Sequence, residues 1–228
     1  MRSLPSRLTA RTFAVLAVIV AASGGAALAL ALDVWPRVEN ETVDLRFAVR
    51  GRARPPRDVA VVAIDANTFS TLRQQWPFPR GLHARVIERL HADGASAIAY
   101  DVQFTEPSNS EREDLALYSA VARARNVVLA TTEVDSSGET AVLGGEENLR
   151  AAHAVAAASN LPADSGGVIR RYPYSELGLP SFAVAAARAG GHEILASRFP
   201  ARGALIDFRG PPGSIPTPAL PFGSTCPP

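Results

Sequence analysis

The first long pattern along the chain is a stretch without charge. Residues 13–32 carry only apolar and small side chains. About 20 such residues, at ~1.5 Å rise each, span the ~30 Å hydrocarbon core of a bilayer. Arg2, Arg7 and Arg11 precede the stretch with no acid among them. That bias puts residues 1–12 in the cytoplasm and everything after residue 32 outside. A cleaved signal peptide is the competing reading, with Ala29-Leu30-Ala31 as its small-x-small site. The apolar stretch is longer than the usual ~7–15 residues of such a peptide, which favours an uncleaved anchor. A buried core helix is the third alternative. The first two readings both export the remainder of the chain.

Residues 33–57 read as a juxtamembrane connector that carries Asp44-Leu45-Arg46-Phe47 and then an Arg- and Pro-rich stretch at 50–57. Three apolar runs follow. Val59-Ala60-Val61-Val62-Ala63-Ile64 ends at Asp65, residues 95–100 end at Asp101, and residues 126–132 form the third. Short uncharged runs, apolar at most positions, predict strands, the first of them buried on both faces. Between the first two, Leu82, Val86, Ile87 and Leu90 fall at helical spacing, with Arg85, Glu88, Arg89 and His91 opposite, and Gly94 closes the pattern. Between the second and third, residues 111–125 predict a polar-faced helix in which Leu115, Leu117 and Val121 are apolar. Strand, helix, strand, helix, strand predicts right-handed parallel βαβ units. The expected fold class is therefore α/β: an N-terminal transmembrane helix, then a mostly parallel sheet flanked by helices, over residues 58–215. Ala-rich residues 149–159 and 182–189 predict two further helices, 164–173 a Gly/Arg loop, and 204–208 a short strand. The last stretch, from 211 onward, holds seven Pro and no periodicity. Residues 216–228 read as a Pro-rich tail, either a strand connection cut off in mid-course or a read into unrelated sequence.

Composition narrows the chemistry. Twenty-three cations against 22 anions leave a net charge of +1, which gives no drive toward nucleic acid. Every cation is Arg, so Schiff-base chemistry, Ser–Lys dyads and a phosphate-loop Lys are excluded. The single Cys, Cys226, makes neither an internal disulfide nor a Cys-based zinc site. His83 and His91 lie on one predicted helix at a spacing that metal pairs do not use, and both read as surface residues. Ala151-Ala152-His153-Ala154 and Asp164-Ser165-Gly166-Gly167 mimic the histidine and nucleophile strings of trypsin-like proteases. In that fold the two come from different barrels, and here they are nearly adjacent, so the pair is set aside. No catalytic residue, metal site or cofactor is expected.

Parallel strands joined by a helix bring Asp65 and Asp101 to one carboxyl edge, where open α/β folds bind ligands. The loop after the first run carries Trp76-Pro77-Phe78-Pro79-Arg80, and the loop after the second carries Glu106. Asp65, Trp76, Arg80, Asp101 and Glu106 are the candidate ligand residues, suited to a small polar or cationic ligand or a divalent ion. Two other readings stand beside this one. Asp at a strand end also caps the next turn, and Trp-Pro also packs under a loop, which would make this a ligand-free interaction domain. Asp65, Asp101 and Glu106 could instead be the oxygen ligands of an exported metal-dependent hydrolase.

An ordered set of segments resembles the type-2 CHASE domain. It comprises Asp44-Leu45-Arg46, Val61-Val62-Ala63-Ile64-Asp65, Trp76-Pro77-Phe78-Pro79-Arg80, and Gly94-Ala95 leading into Tyr100-Asp101-Val102-Gln103-Phe104. Ala204-Leu205-Ile206-Asp207-Phe208-Arg209-Gly210-Pro211 resembles that family's late strand and Gly-Pro exit. The resemblance covers about residues 33–215. It implies an extracytoplasmic sensor of the kind carried by bacterial adenylate cyclases, serine/threonine kinases and histidine kinases. It also implies an unknown small-molecule or ion ligand, the inner membrane as location, and a homodimer, because the outputs of such proteins work in pairs. The family's Asp-x-Asp-Gly-x-x-Arg loop reads Asp164-Ser165-Gly166-Gly167-Val168-Ile169-Arg170 here, with Gly166 in place of the second Asp. Members usually continue into more membrane helices and a cytoplasmic catalytic domain. Neither is in these 228 residues, so the resemblance implies an input module that acts through a separate output protein, or a truncated product.

Overall fold

The computed structural model describes residues 6–31, 34–164, 166–215 and 217. In the two N-terminal helices the described side chains are those of residues 12–25 and 38–50. Leu32 and Asp33, Ser165 of the protease-like string, Cys226 and nearly all of the Pro-rich tail lie outside the described residues.

The chain divides into two compact units. The first comprises Met1–Arg57 and Phe208–Ile215. It contains helix α1 (Ser6–Ala31) and helix α2 (Val34–Arg50). Phe13, Val15, Leu16, Val18, Ile19 and Val20 of α1 are all exposed. Among the described residues, no helix is long and apolar enough to cross a membrane. Helix α2 ends on Gly51, whose φ of +67° lies in the left-handed region that glycine adopts most readily, and whose amide donates to the Phe47 carbonyl at 3.0 Å. The two segments of the unit are stitched at this point. The Ala53 amide donates to the Arg209 carbonyl at 2.8 Å, and the Arg50 guanidinium to the Phe208 carbonyl. The Phe47 and Phe208 rings meet edge to face at 5.7 Å.

The second unit spans Asp58–Asp207, together with the tail residues Pro216–Pro228. Its helices are α3 (Ala66–Leu72), α4 (Arg80–Ala92), α5 (Glu111–Ala124), α6 (Glu146–Ala151) and α7 (Phe182–Ala189). Strands β1 (Ile98–Tyr100), β2 (Val127–Thr131) and β3 (Ala154–Ala158) form a parallel sheet in the order β1-β2-β3. Tyr100 pairs with Leu129, and Leu129 with Ala156. Successive residues of a strand point to opposite faces. One face carries Ile98, Tyr100, Val127, Leu129, Ala154 and Ala156, packed on Ile87 of α4, on Leu117, Ala120 and Val121 of α5, and on Leu149 of α6. The other face offers Val128 and Ala157 to Ala185 of α7. Short antiparallel pairs complete the unit: β4 (Arg171–Tyr172) with β7 (Ala204–Leu205), and β5 (Ser175–Glu176) with β6 (Leu179–Pro180).

The α/β class, the parallel sheet and the helices α4, α5 and α7 agree with the expectation. Three local expectations are corrected. Residues 59–64 form no strand, and Val59 and Val61 are 55% and 40% exposed. An apolar run becomes a strand only when a neighbour takes its hydrogen bonds, and this run has no ladder partner. Residues 149–159 are not one helix. They are the end of α6, a left-handed turn at His153 (φ +52°), and strand β3. Alanine favours helix intrinsically, but burial in the sheet overrides that here. The late strand of 204–208 is only Ala204–Leu205.

Candidate functional site

The cleft begins with the packing of one helix face. His83 precedes Ile87 by four residues, so the two share the sheet-facing stripe of α4. His83 is 3% exposed, which corrects its reading as a surface residue. Its Nδ1 lies 2.8 Å from the Tyr100 hydroxyl, at the end of β1. Four rings enclose or adjoin it, that of Tyr100 among them. Phe104 lies at 5.2 Å, Tyr100 at 5.8 Å, Trp76 at 5.8 Å and Phe78 at 6.4 Å, measured between centroids. Burial first, then the Arg80 charge, lowers the His83 pKa to about 4, against a hydrogen bond with the Phe78 backbone that pushes it up. The imidazole is therefore neutral at pH 7. Burial also pushes the Tyr100 hydroxyl above its ordinary range.

Above this aromatic floor lies an open cleft of about 570 Å³, between the 76–80 loop with the start of α4 and the 102–110 loop that follows β1. Trp76, Phe78, Arg80 and His83 line one side, and Phe104, Glu106, Ser108 and Asn109 the other. Trp76 keeps 49% of its surface exposed, while its ring rests against Phe78 at 5.5 Å. Arg80 is held from three directions. Its Nη1 sits 3.0 Å from Asp114 Oδ1, its Nη2 donates to the Glu106 carbonyl, and its guanidinium lies over the Phe104 ring at 5.6 Å.

The first turn of α5 anchors both walls. Glu113 accepts the Gly81 amide at 2.6 Å, placing a carboxylate at the N-terminus of α4. Asp114 accepts the Ser108 amide at 3.0 Å. Partial burial pushes the Asp114 carboxyl up, but the Ser108 bonds and Arg80 outweigh it and hold the group below the usual carboxylate range.

Of the five expected ligand residues, Trp76, Arg80 and Glu106 share this cleft; Asp65 and Asp101 do not line it. Asp65 caps α3 instead. Its Oδ1 accepts the Thr68 amide at 3.1 Å, and its own amide donates to Thr68 Oγ1 at 3.2 Å, a reciprocal capping box. Asp101 is exposed and acts electrostatically on the Tyr172 hydroxyl, which accepts the Ala183 amide of α7 at 2.9 Å. The expected convergence assumed a strand at 59–64, and that strand is absent. Among the described residues, no group of three or more His, Cys, Asp or Glu side chains could hold a metal ion. Asp65, Asp101 and Glu106 thus lack the arrangement that a metal-dependent hydrolase needs.

The Gly/Arg loop is built on its own acid. Asp164 Oδ1 accepts the amides of Gly166 at 2.9 Å and Val168 at 3.2 Å, and Arg170 donates to Oδ2. The first Asp and the Arg of the Asp-x-Asp-Gly-x-x-Arg pattern hold the loop against each other.

A layered α/β unit with an aromatic-floored cleft beyond the carboxyl end of its first strand has the form of a ligand-receiving module. The chain belongs to the CHASE2 domain family, whose model matches residues 13–225. CHASE2 domains are extracytoplasmic sensors of membrane proteins, so the role of this chain is sensory in kind. No curated protein and no solved structure matches the chain.

Proposed function

We propose that this chain is the input domain of a membrane-bound signal-transduction protein and receives a small polar ligand in the cleft of Trp76, Arg80 and Glu106. The observation that carries the reading is Trp76. A large ring, pinned by Phe78 and half exposed, stands over an open cleft whose polar groups are hydroxyls, amides, an imidazole, a fixed guanidinium and the carboxylates of Glu106 and Glu113. A flat apolar face beside a few placed polar groups is the chemistry of small-ligand recognition. Arg80, already neutralised by Asp114, orients a ligand rather than attracting an anion from a distance. Asp65 and Asp101 belong to this proposal only as residues outside the cleft.

The membrane part rests on the sequence. The uncharged stretch of 13–32, with Arg2, Arg7 and Arg11 before it, supports a single-pass anchor with its N-terminus in the cytoplasm. Among the described residues no helix is long and apolar enough to cross a membrane, so the anchor rests on the sequence alone. Residues 33–57 then connect the anchor to the sensor at 58–215. Signalling is a population shift. The ligand favours one of two states of the domain, or of a homodimer, and only its difference in affinity for the two reaches a cytoplasmic output protein.

A thermal-shift screen of the purified full chain with small sugars, amino acids and other polar metabolites tests the cleft. A ligand that binds only the folded state raises the melting temperature. The reading expects a compound that stabilises the wild type and leaves Trp76→Ala unmoved. Stabilisation that survives Trp76→Ala undamped, or no stabilising compound at all, contradicts it.

A further inference from the structure

Behind the 102–110 loop lies a second cleft, of about 540 Å³, which Arg80 and Glu106 of the expected ligand residues also line. Its floor is apolar: Leu115 and Tyr118 from α5, and Leu143 from the turn before α6. Leu115 is 57% exposed, although its helix buries Leu117, Ala120 and Val121. Leu143 sits in the left-handed region at φ +57°, unusual for a branched side chain. Two bonds hold it there. Its amide donates to the Phe104 carbonyl at 2.8 Å, and its carbonyl accepts Asn148 Nδ2 at 3.0 Å. The rim is charged. Arg80 and Asp114 neutralise each other at 3.0 Å. The remaining carboxylates, Glu106 and Glu111, line the cleft and take part in no ion pair among the described residues.

We propose that this second cleft binds a small hydrophobic amine. Its ammonium is taken by the Glu106 and Glu111 carboxylates, and its apolar body lies on Leu115, Tyr118 and Leu143. An apolar floor alone would accept any aliphatic body. Two uncompensated acids above it select a cation and repel an anion of the same shape. Arg80, Phe104, Thr105, Glu106 and Pro107 border both clefts, whereas Glu111, Leu115, Tyr118 and Leu143 line this one and not the Trp76 cleft.

Three probes with one alkyl body separate these contributions: hexylamine, hexan-1-ol and hexanoate. They are titrated calorimetrically into the full chain in lipid nanodiscs, with empty nanodiscs as blank. Hexylamine is expected to bind about tenfold more tightly than hexan-1-ol, the value of a charge-assisted hydrogen bond, with hexanoate giving no heat. Glu111→Gln should bring the amine down toward the alcohol. Leu115→Arg, a change at an exposed position, should abolish both. Trp76→Ala should leave both unchanged, so failure of the first cleft is distinguishable from failure of this one. The proposal is overturned if hexylamine binds no more tightly than hexan-1-ol, if Glu111→Gln and Leu115→Arg leave its affinity intact, or if Trp76→Ala removes it.

Discussion

His83 is a base kept neutral by its surroundings, and that has a consequence for stability. The folded protein protonates it at about 4, against an ordinary 6.5. Between those values the unfolded chain binds more protons, so stability is complete above pH 6.5 and is lost as the pH falls toward 4. The loss amounts to at most ~3 kcal/mol. Urea unfolding of the full chain at pH 7.5, 5.5 and 4.5 should show it. His83→Phe should flatten that part of the profile while losing the bond to Tyr100. An equal slope in the variant would remove His83 from the account. Asp65 makes the opposite kind of prediction. Asp65→Ala removes a capping box and should cost ~1 kcal/mol while leaving the affinity of any cleft ligand unchanged. A matching loss of ligand affinity would return Asp65 to the binding residues. The cap was among the expectations and the burial of His83 was not, though each left a signal in the sequence. Asp65 precedes Thr68 by three residues, a helix-start signature, and His83 lies one turn from Ile87 on the apolar stripe. Residue type obscured them, because carboxylates and imidazoles invite a functional reading before a structural one.

At the scale of elements, the periodicity of 80–92 and 111–124 was enough to place α4 and α5, since each buries a stripe that recurs every three or four positions. The strands were less legible. Residues 59–64 carry the more strand-like composition yet have no partner, whereas Ala-rich 154–158 pairs along its whole length with β2. Small side chains are the physical reason for that second case. Ala157 beneath Ala185 lets α7 sit close on the sheet, and a larger side chain at either position would hold the two apart. Ala185→Leu should therefore destabilise the full chain by ~1–3 kcal/mol through overpacking, read as a lower urea midpoint. An unchanged midpoint would mean that the contact has slack. The cleft needed both kinds of information. Trp76, Arg80 and Glu106 stand out in the sequence, but their neighbours Phe78, Phe104 and Tyr100 become a floor only when β1 and α4 pack.

For the molecule as a whole, the chain leaves the first unit after Arg57 and returns to it at Phe208. The stitched pair of Ala53 with Arg209 and Phe47 with Phe208 makes that departure and return neighbours within one unit. If the domain is exported on an N-terminal anchor, protease added to intact spheroplasts should digest residues beyond 57 and spare the N-terminus. Protection of the domain would place it inside the cell.

The most direct test of the sensor account is amide hydrogen exchange on the full chain in nanodiscs, with and without a compound that raises its melting temperature. The account predicts slowed exchange in 76–83 and 102–110, extending to 47–53 and 208–210 as the bound state spreads toward the tether. Slowed exchange confined to 66–72 or 164–170, with both walls of the cleft unchanged, would contradict it.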